Sequence, residues 1–534
     1  MANRRLTRPR SRNGCITCKL RHVKCDEAKP ECMQCQRSGR KCDGYDSASQ
    51  TQLRQRIAER HRPLDRDMVG ADHRLLLRQE TGTERRYVEF FYGQSSSAFS
   101  GFYNSKLWSY LIPQLGEHEP SIRHAMTAIG AIHSRLQNPK LLTAGENSAP
   151  TDWFVIEEYN KSIQALTKSL SSANAGIDLT LTTCCLFVCL EMLQGNRRAA
   201  LDHIEAGLQI IQRHDQSSPV NARQSEVYIE LRSLFMRLNL QASFMGRLLV
   251  PLRHSPADIV RPGIPFTSLL QARSHLDQIM LKTLLFIRSV GIMREARDPA
   301  EQAAFEEKQE AARLEFTSWR WSLDKFLQRH GHTLTPSEIC ASLLLKIYYH
   351  TSLFWTLSVL CRSEDVFDDF ITDFESVVSH AEEIVRITST TPSSSAAAAA
   401  STIYPVTPPD NQPPHSNTVF SLEGGIIGPL YYTACRCRDP FIRRRAISTM
   451  LHYSKREGMW DARLYAAVAN LVCEVEESKC LIPPTCAADI GSLDRVYEEV
   501  QPKELKSRPT FVVLYMKPQG VDGPWKMSSV MVDW

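Results

Sequence analysis

A chain of 534 residues, 43% hydrophobic and 23% charged, is long enough to bury a sizeable core. Its formal charge of +5 is uneven: residues 1–50 hold twelve Lys and Arg against five acids, a net +7, which leaves −2 for the remainder. No apolar run reaches the ~18 uncharged residues of a membrane span, and no apolar segment follows the basic N-terminus, so neither a membrane partner nor a secretory signal is expected. Residues 1–13 read as a basic arm suited to a polyanion or to nuclear import.

Six cysteines follow, Cys15, Cys18, Cys25, Cys32, Cys35 and Cys42, and the unit C-x2-C-x6-C repeats after seventeen residues. In a reducing compartment such clustering favours metal over disulfides. Zinc prefers four tetrahedral ligands, so two separate sites would need eight thiolates. The shortfall of two vanishes if the first cysteine of each unit, Cys15 and Cys32, bridges both metals. One full site with a leftover pair is the competing count.

Residues 44–84 form a linker of mixed charge. Leu53 and Ile57 begin an apolar spacing that Pro63 and Gly70 interrupt, so no coiled coil is visible there. From about 85 to 505 the pattern is helical. Ile122, Ala125, Met126, Ile129, Ile132 and Leu136 make one stripe behind Pro120. Helices are predicted over 153–172, 178–194 and 197–214, the last two joined at Gly195-Asn196 as a helical hairpin. Further ones are predicted near 225–248, 267–294, 300–329, 338–362, 370–388, 427–454 and 457–478. A Pro-, Ser- and Ala-rich segment, 390–418, reads as a flexible surface loop. Within the C-terminal segment 506–534, the β-rich runs 511–516 and 528–534 flank Gly and Pro and predict a small hairpin.

Other features read as structural. Cys184, Cys185, Cys189, Cys340 and Cys361 lie among apolar residues and are expected as buried fillers. Cys435 and Cys437 form a C-x-C pair with no second pair nearby. His124 and His133 flank an apolar stripe and read as packing residues. Arg443-Arg444-Arg445 reads as an exposed helical face. No phosphate loop, H-E-x-x-H or G-x-S-x-G is present, so no enzyme is expected and no catalytic residue is nominated.

The cysteine module, about 14–43, resembles the fungal binuclear zinc cluster transcription factors. The likeness rests on the cysteine spacing, the basic segment K-L-R-H-V-K, Asp26, Pro30 and the closing C-D-G-Y. It implies two zinc ions, two short helices beginning near Cys18 and Cys35 and related by a pseudo-twofold, a connecting loop shaped by Pro30, and metal-driven folding. It also implies a double-stranded DNA partner.

The first insert has no helix breaker, whereas the second, Q-R-S-G-R-K, carries Ser38-Gly39, so the first helix is expected in the major groove. The resemblance places base reading of a CGG-like triplet at Arg21 and His22, where His22 departs from the usual Lys or Arg. Lys19 and Lys24 are expected on phosphates, with Arg37, Arg40 and Lys41 as further contacts.

The body resembles the helical regulatory domain that accompanies such clusters, through stretches such as E-P-S-I-R-H-A-M-T-A-I-G-A-I-H at 119–133 and G-N-R-R-A-A-L-D-H-I-E-A-G-L at 195–208. The expected fold is thus a small zinc-stabilised module before a large all-α, helical-repeat-like domain. The expected function is nuclear regulation of RNA polymerase II promoters through the transcription machinery or co-regulators, as monomer or homodimer. A protein–protein adaptor with a purely structural zinc module is the alternative, and the basic insert argues against it.

Overall fold

The structure is a computed structural model that describes residues 15, 18, 23–38, 42, 81–103, 105–137, 149–172, 176–217, 224–252, 263–291, 298–390, 420–453, 455–500 and 509–534. The arm 1–13, the linker up to residue 80 and the loop 391–418 lie outside the described residues. The chain divides into two compact units, residues 1–79 and 80–534. In the first, the described helix is α1 (Met33–Arg37), and Cys18 is also helical.

The second unit opens on α2 (Gly82–Phe90), three residues inside the predicted linker. Thr81 and Glu84 explain the start: the Thr81 hydroxyl accepts from the Glu84 amide, and the Glu84 carboxylate accepts from the Thr81 amide. That reciprocal pair satisfies two orphan donors of the first turn. A π turn, Phe91–Ser95, and one more helical turn, Ser96–Ser100, follow.

Next come α3 (Ile112–His118), α4 (Pro120–Gln137), α5 (Ala149–Ser171), α6 (Ile177–Gln194), α7 (Arg197–Ser217) and α8 (Glu226–Phe244). The stripe read on α4 is its buried face from Ile122 to Ile132, and Leu136 is half-buried. The hairpin of α6 and α7 turns on Gly195, whose φ of 78° and ψ of 9° is the left-handed cap a side chain disfavours. α6 is apolar on every side and long enough to cross a membrane, and 78% of it is buried inside this unit. A helix apolar all round belongs at the centre of a core.

The remaining long helices are α9 (Leu269–Val290), α10 (Pro299–His330), α11 (Pro336–Ser358) and α12 (Ile371–Thr390). Two apolar cores result. The first gathers α4, α6, α7, α8, α9 and part of α10; the second surrounds α12 and the C-terminal elements. α11 supplies both, with Ala341 and Leu345 in the first and Leu344, Ile347 and Phe354 in the second.

Three expectations change in the C-terminal part. The single helix read over 427–454 is two, α13 (Ile427–Arg436) and α14 (Pro440–Tyr453). Pro440 disfavours a helical residue before it and opens α14 instead. The helix read from 457 begins only at 462, as α15 (Ala462–Glu477), capped by Asp461. Before it, β2 (Arg456–Glu457) and β3 (Trp460–Asp461) form a tight hairpin, beside which β1 (Phe420–Ser421) pairs in parallel. The predicted terminal hairpin is present as β5 (Thr510–Met516) and β6 (Lys526–Val532), and β4 (Val496–Val500) makes it a three-stranded antiparallel sheet.

The Arg443-Arg444-Arg445 run is not a uniformly exposed face. Arg443 is fully buried, as is Arg438. Arg438 Nη2 lies 2.8 Å from Glu476 Oε1, Arg443 Nη2 lies 2.9 Å from Glu476 Oε2, and Arg438 Nη1 lies 3.1 Å from Glu364 Oε2. Glu476 Oε1 also accepts the Val496 amide at 2.8 Å, tying β4 to α15. Burial alone would raise the Glu476 pKa, but Arg438 and Arg443 outweigh it and hold the carboxyl below its ordinary range. Arg445 pairs with Glu375 and Glu382, and Arg444 with Glu477.

Replacing Glu476 by Ala takes the close counter-charge from buried Arg443 and leaves buried Arg438 with Glu364 alone. It is expected to cost about 3–5 kcal/mol, read as a large drop in the urea midpoint of the full chain.

His133 is fully buried, with Nδ1 2.9 Å from Ser95 Oγ, and burial pushes its pKa from 6.5 down to about 4. The unfolded chain therefore binds this proton first as pH falls. Stability is complete above about pH 6.5 and declines toward pH 4, by about 2 kcal/mol at pH 5. Unfolding followed by tryptophan fluorescence at pH 7.5 and 5 checks this, and His133→Gln is expected to flatten the slope.

Candidate metal centre and nucleic-acid interface

The six repeat cysteines form their own buried cluster, each no more than 8% exposed. The two halves share local geometry. Cys15 Sγ accepts the Cys18 amide at 3.4 Å, and Cys32 Sγ accepts the Cys35 amide at 3.3 Å. Each C-x2-C therefore folds its first sulfur over the start of a helical turn. Cys32 is the N-cap of α1, and Asp26 completes that cap from the other half: its carboxylate accepts from Met33 at 3.0 Å and from Gln34 at 3.1 Å. Three orphan amides of a one-turn helix are thus satisfied by a sulfur and a carboxylate. The Lys29–Pro30 peptide in the connecting loop is cis.

The sulfurs group into two quartets, Cys15/Cys18/Cys25/Cys32 and Cys15/Cys32/Cys35/Cys42, each with its donor atoms within 4.8 Å of one another. Cys15 and Cys32 are the shared members, and their Sγ atoms stand 3.5 Å apart. Cys15–Cys35 and Cys18–Cys32 are 3.7 and 3.6 Å. A tetrahedral zinc with Zn–S near 2.3 Å sets its sulfurs about 3.8 Å apart, whereas a disulfide needs about 2 Å. The donor set fits two zinc ions and not disulfides. Burial pushes the Cys15 and Cys32 thiols up, Cys32 to about 12.

Of the residues predicted to contact DNA, Lys24 and Arg37 are described and both are exposed beside the cluster. Lys19, Arg21, His22, Arg40 and Lys41 lie outside the described residues. The capping role of Asp26 was not assigned from the sequence. An acid one residue after a ligand cysteine was visible, but its partners, seven and eight residues on, are set by the fold of the loop.

Among the described residues, one other metal-capable group exists, Glu84, His124 and Glu158. Lys161 already sits 2.7 Å from Glu158 and 3.5 Å from Glu84, and His124 Nδ1 is 2.8 Å from Glu158, so the group is an ion-pair network. Cys435 and Cys437 are buried in the second core and belong to none of these groups. Cys184, Cys185, Cys189 and Cys340 are buried as expected, and Cys361 is half-buried.

Two interlocked thiol quartets ahead of a helical body define a zinc-cluster regulatory protein. Residues 13–52 match the fungal Zn(2)-Cys(6) binuclear cluster domain, and residues 86–353 match the fungal specific transcription factor domain. The chain belongs to this fungal transcription factor family, whose cluster binds two zinc ions and whose members regulate transcription by sequence-specific DNA binding. The family is not enzymatic.

The chain is 25% identical over 556 residues to the aspercryptin biosynthesis cluster-specific transcription regulator of Emericella nidulans, covering 88% of each. Shorter likenesses are to White-opaque regulator 2 of Candida albicans, 47% identical over 53 residues, 10% of this chain and 12% of that protein, and to the transcriptional regulatory protein moc3 of Schizosaccharomyces pombe, 33% over 95 residues, 18% of each. No solved structure matches the chain.

Proposed function

We propose that the module, about residues 14–43, holds one zinc on Cys15, Cys18, Cys25 and Cys32 and a second on Cys15, Cys32, Cys35 and Cys42. The observation that carries this is the sharing of Cys15 and Cys32 between both quartets. The bound pair of dications supplies charge neutralisation and fixes the two short helical turns. The protein's own residues then do the recognition. The segment Lys19–Lys24 lies in the major groove, with Arg21 on guanine O6 and N7 and His22 donating to N7 of the neighbouring base of a CGG-like triplet. Lys19, Lys24, Arg37, Arg40 and Lys41 contact phosphates and set the register. The exposure of Lys24 and Arg37 beside the cluster supports this reading.

The chain acts in the nucleus on RNA polymerase II promoters, and its helical body, about residues 85–505, meets co-regulators. The likeness along 88% of its length to a biosynthesis cluster-specific regulator supports genes of a biosynthesis cluster as the target.

The bridging assignment has a direct readout in zinc content. Cys42→Ala is expected to lower the affinity of one zinc, whereas Cys15→Ala or Cys32→Ala impairs both. Measured by metal analysis under chelator competition, a Cys15→Ala protein that retains two zincs at wild-type affinity refutes the sharing.

DNA reading is tested by selecting duplexes from a random pool, then titrating the best one with salt. Arg21→Ala is expected to cost about 1–3 kcal/mol on the selected duplex and to relax one base position. Lys24→Ala is expected to weaken all duplexes alike and to shallow the salt slope by about one. Equal, weak binding of every duplex by the wild-type chain favours the adaptor reading instead.

A further inference from the structure

α5 (Ala149–Ser171) buries polar side chains and exposes apolar ones. Its inward side includes Val155, Glu158 and Ser162, none more than 4% exposed. Directional contacts hold that side in place. Glu158 meets His124 Nδ1 at 2.8 Å, Ser162 Oγ donates to the Ser121 carbonyl at 2.6 Å, and Tyr159 Oη donates to Glu191 at 2.9 Å. Bonds of this geometry fix the rotation of the helix about its own axis. On the outer side Trp153 is 71% exposed, Ile156 48%, Ile163 41% and Leu170 50%.

These four residues belong to one regular line. Trp153, Ile156, Asn160, Ile163, Thr167 and Leu170 follow one another at steps of 3, 4, 3, 4 and 3, and all six are exposed. That is the a/d spacing of a coiled coil, kept up over about 26 Å of helix. Trp153, Asn160 and Thr167 take the a positions, and Ile156, Ile163 and Leu170 the d positions. No charged residue falls in the seam. Thr167 Oγ1 donates to the Ile163 carbonyl at 2.8 Å, so covering it strands no donor. The apolar stripe of a surface helix ordinarily faces its own core, and this one faces away from it.

We propose that α5 is a self-association surface, on which a second copy of the chain lays its own α5, parallel and in register, as a short two-stranded coiled coil. Each seam residue then meets its own copy, apolar against apolar. Asn160 is what selects this partner. Covered by an unrelated apolar helix, its amide would be left unpaired, which is costly. Opposite the same residue of a second copy it finds both a donor and an acceptor, and a single Asn at an a position fixes register and a two-stranded state. Covering the seam on both copies removes on the order of 1,000 Å² from water, the lower end of specific interfaces, so the dimer is a weak and concentration-dependent one. The pairing involves the body alone and stands whether or not Arg21 and His22 read the triplet proposed above. It brings two zinc modules into one particle, although the linker sequence 44–84 carries no zipper pattern.

The test is analytical sedimentation of the full chain in the absence of DNA. The wild-type chain is expected to pass from monomer to dimer with a Kd of about micromolar order. Ile163→Asp, at a position already 41% exposed, is expected to weaken the dimer by about a hundredfold or more and to leave thermal unfolding unchanged. Asn160→Cys is expected to form a disulfide-linked dimer in oxidised glutathione, because parallel in-register pairing sets the two 160 positions opposite each other. The wild-type chain, with its exposed Cys486, is the control for adventitious linkage. Should Ile163→Asp not fold, the wild-type sedimentation and the cross-link carry the test. A wild-type chain that stays monomeric well above micromolar concentration overturns the proposal and leaves the seam to a helix of a different protein. A dimer untouched by Ile163→Asp, or one that Asn160→Cys does not link, overturns it as well.

Discussion

Charge taken out of water must be neutralised where it is buried, and both units of this protein are built around that requirement. In the body, Arg438 and Arg443 are fully buried with Glu476 and Glu364 as their counter-charges. The knot joins the turn before α12, the corner between α13 and α14, the end of α15 and the start of β4. No hydrophobic contact fixes four such elements with comparable directionality, since each guanidinium offers donors in a rigid plane.

In the N-terminal unit the same rule acts on sulfur. Six buried cysteines with two shared members form a donor set that two dications complete, and there is little apolar surface to hold the segment otherwise. The protein adds what the metal does not: sulfur-capped helical turns, and the Asp26 carboxylate that reaches across from one half to cap the other. The repeat is therefore nearly symmetric at the cysteines and asymmetric in everything attached to them. Only one half supplies the Asp26 cap, and the uninterrupted basic insert lies in the other.

Periodicity made most of the body legible. The stripe on α4, the α6–α7 hairpin at Gly195 and the ends of α9 to α12 follow from apolar spacing and from cap residues close in sequence. Where reading failed, the cause was nonlocal. β1, β2 and β3 are two-residue strands whose pairing joins residues 420 and 456, and no local pattern announces them. β4, V-Y-E-E-V, lacks the alternation of a half-buried strand: its register shifts between Val496 and Glu498, and Glu499 is matched to Arg436 at 3.1 Å. The arginine run misled for the same reason: a charge reads as surface unless its partner, here thirty-three residues away in Glu476, is known.

The sequence by itself determined the metal centre, because a ligand count, a fixed spacing and a repeat are all local and the coordination chemistry of zinc does the rest. It determined the helical class of the body for a similar reason, since helical periodicity is written within each turn. Tertiary structure alone decided which charges are buried and which strands complete the terminal sheet. Those outcomes depend on which distant residue arrives opposite, and burial and pairing are properties of that meeting rather than of either residue.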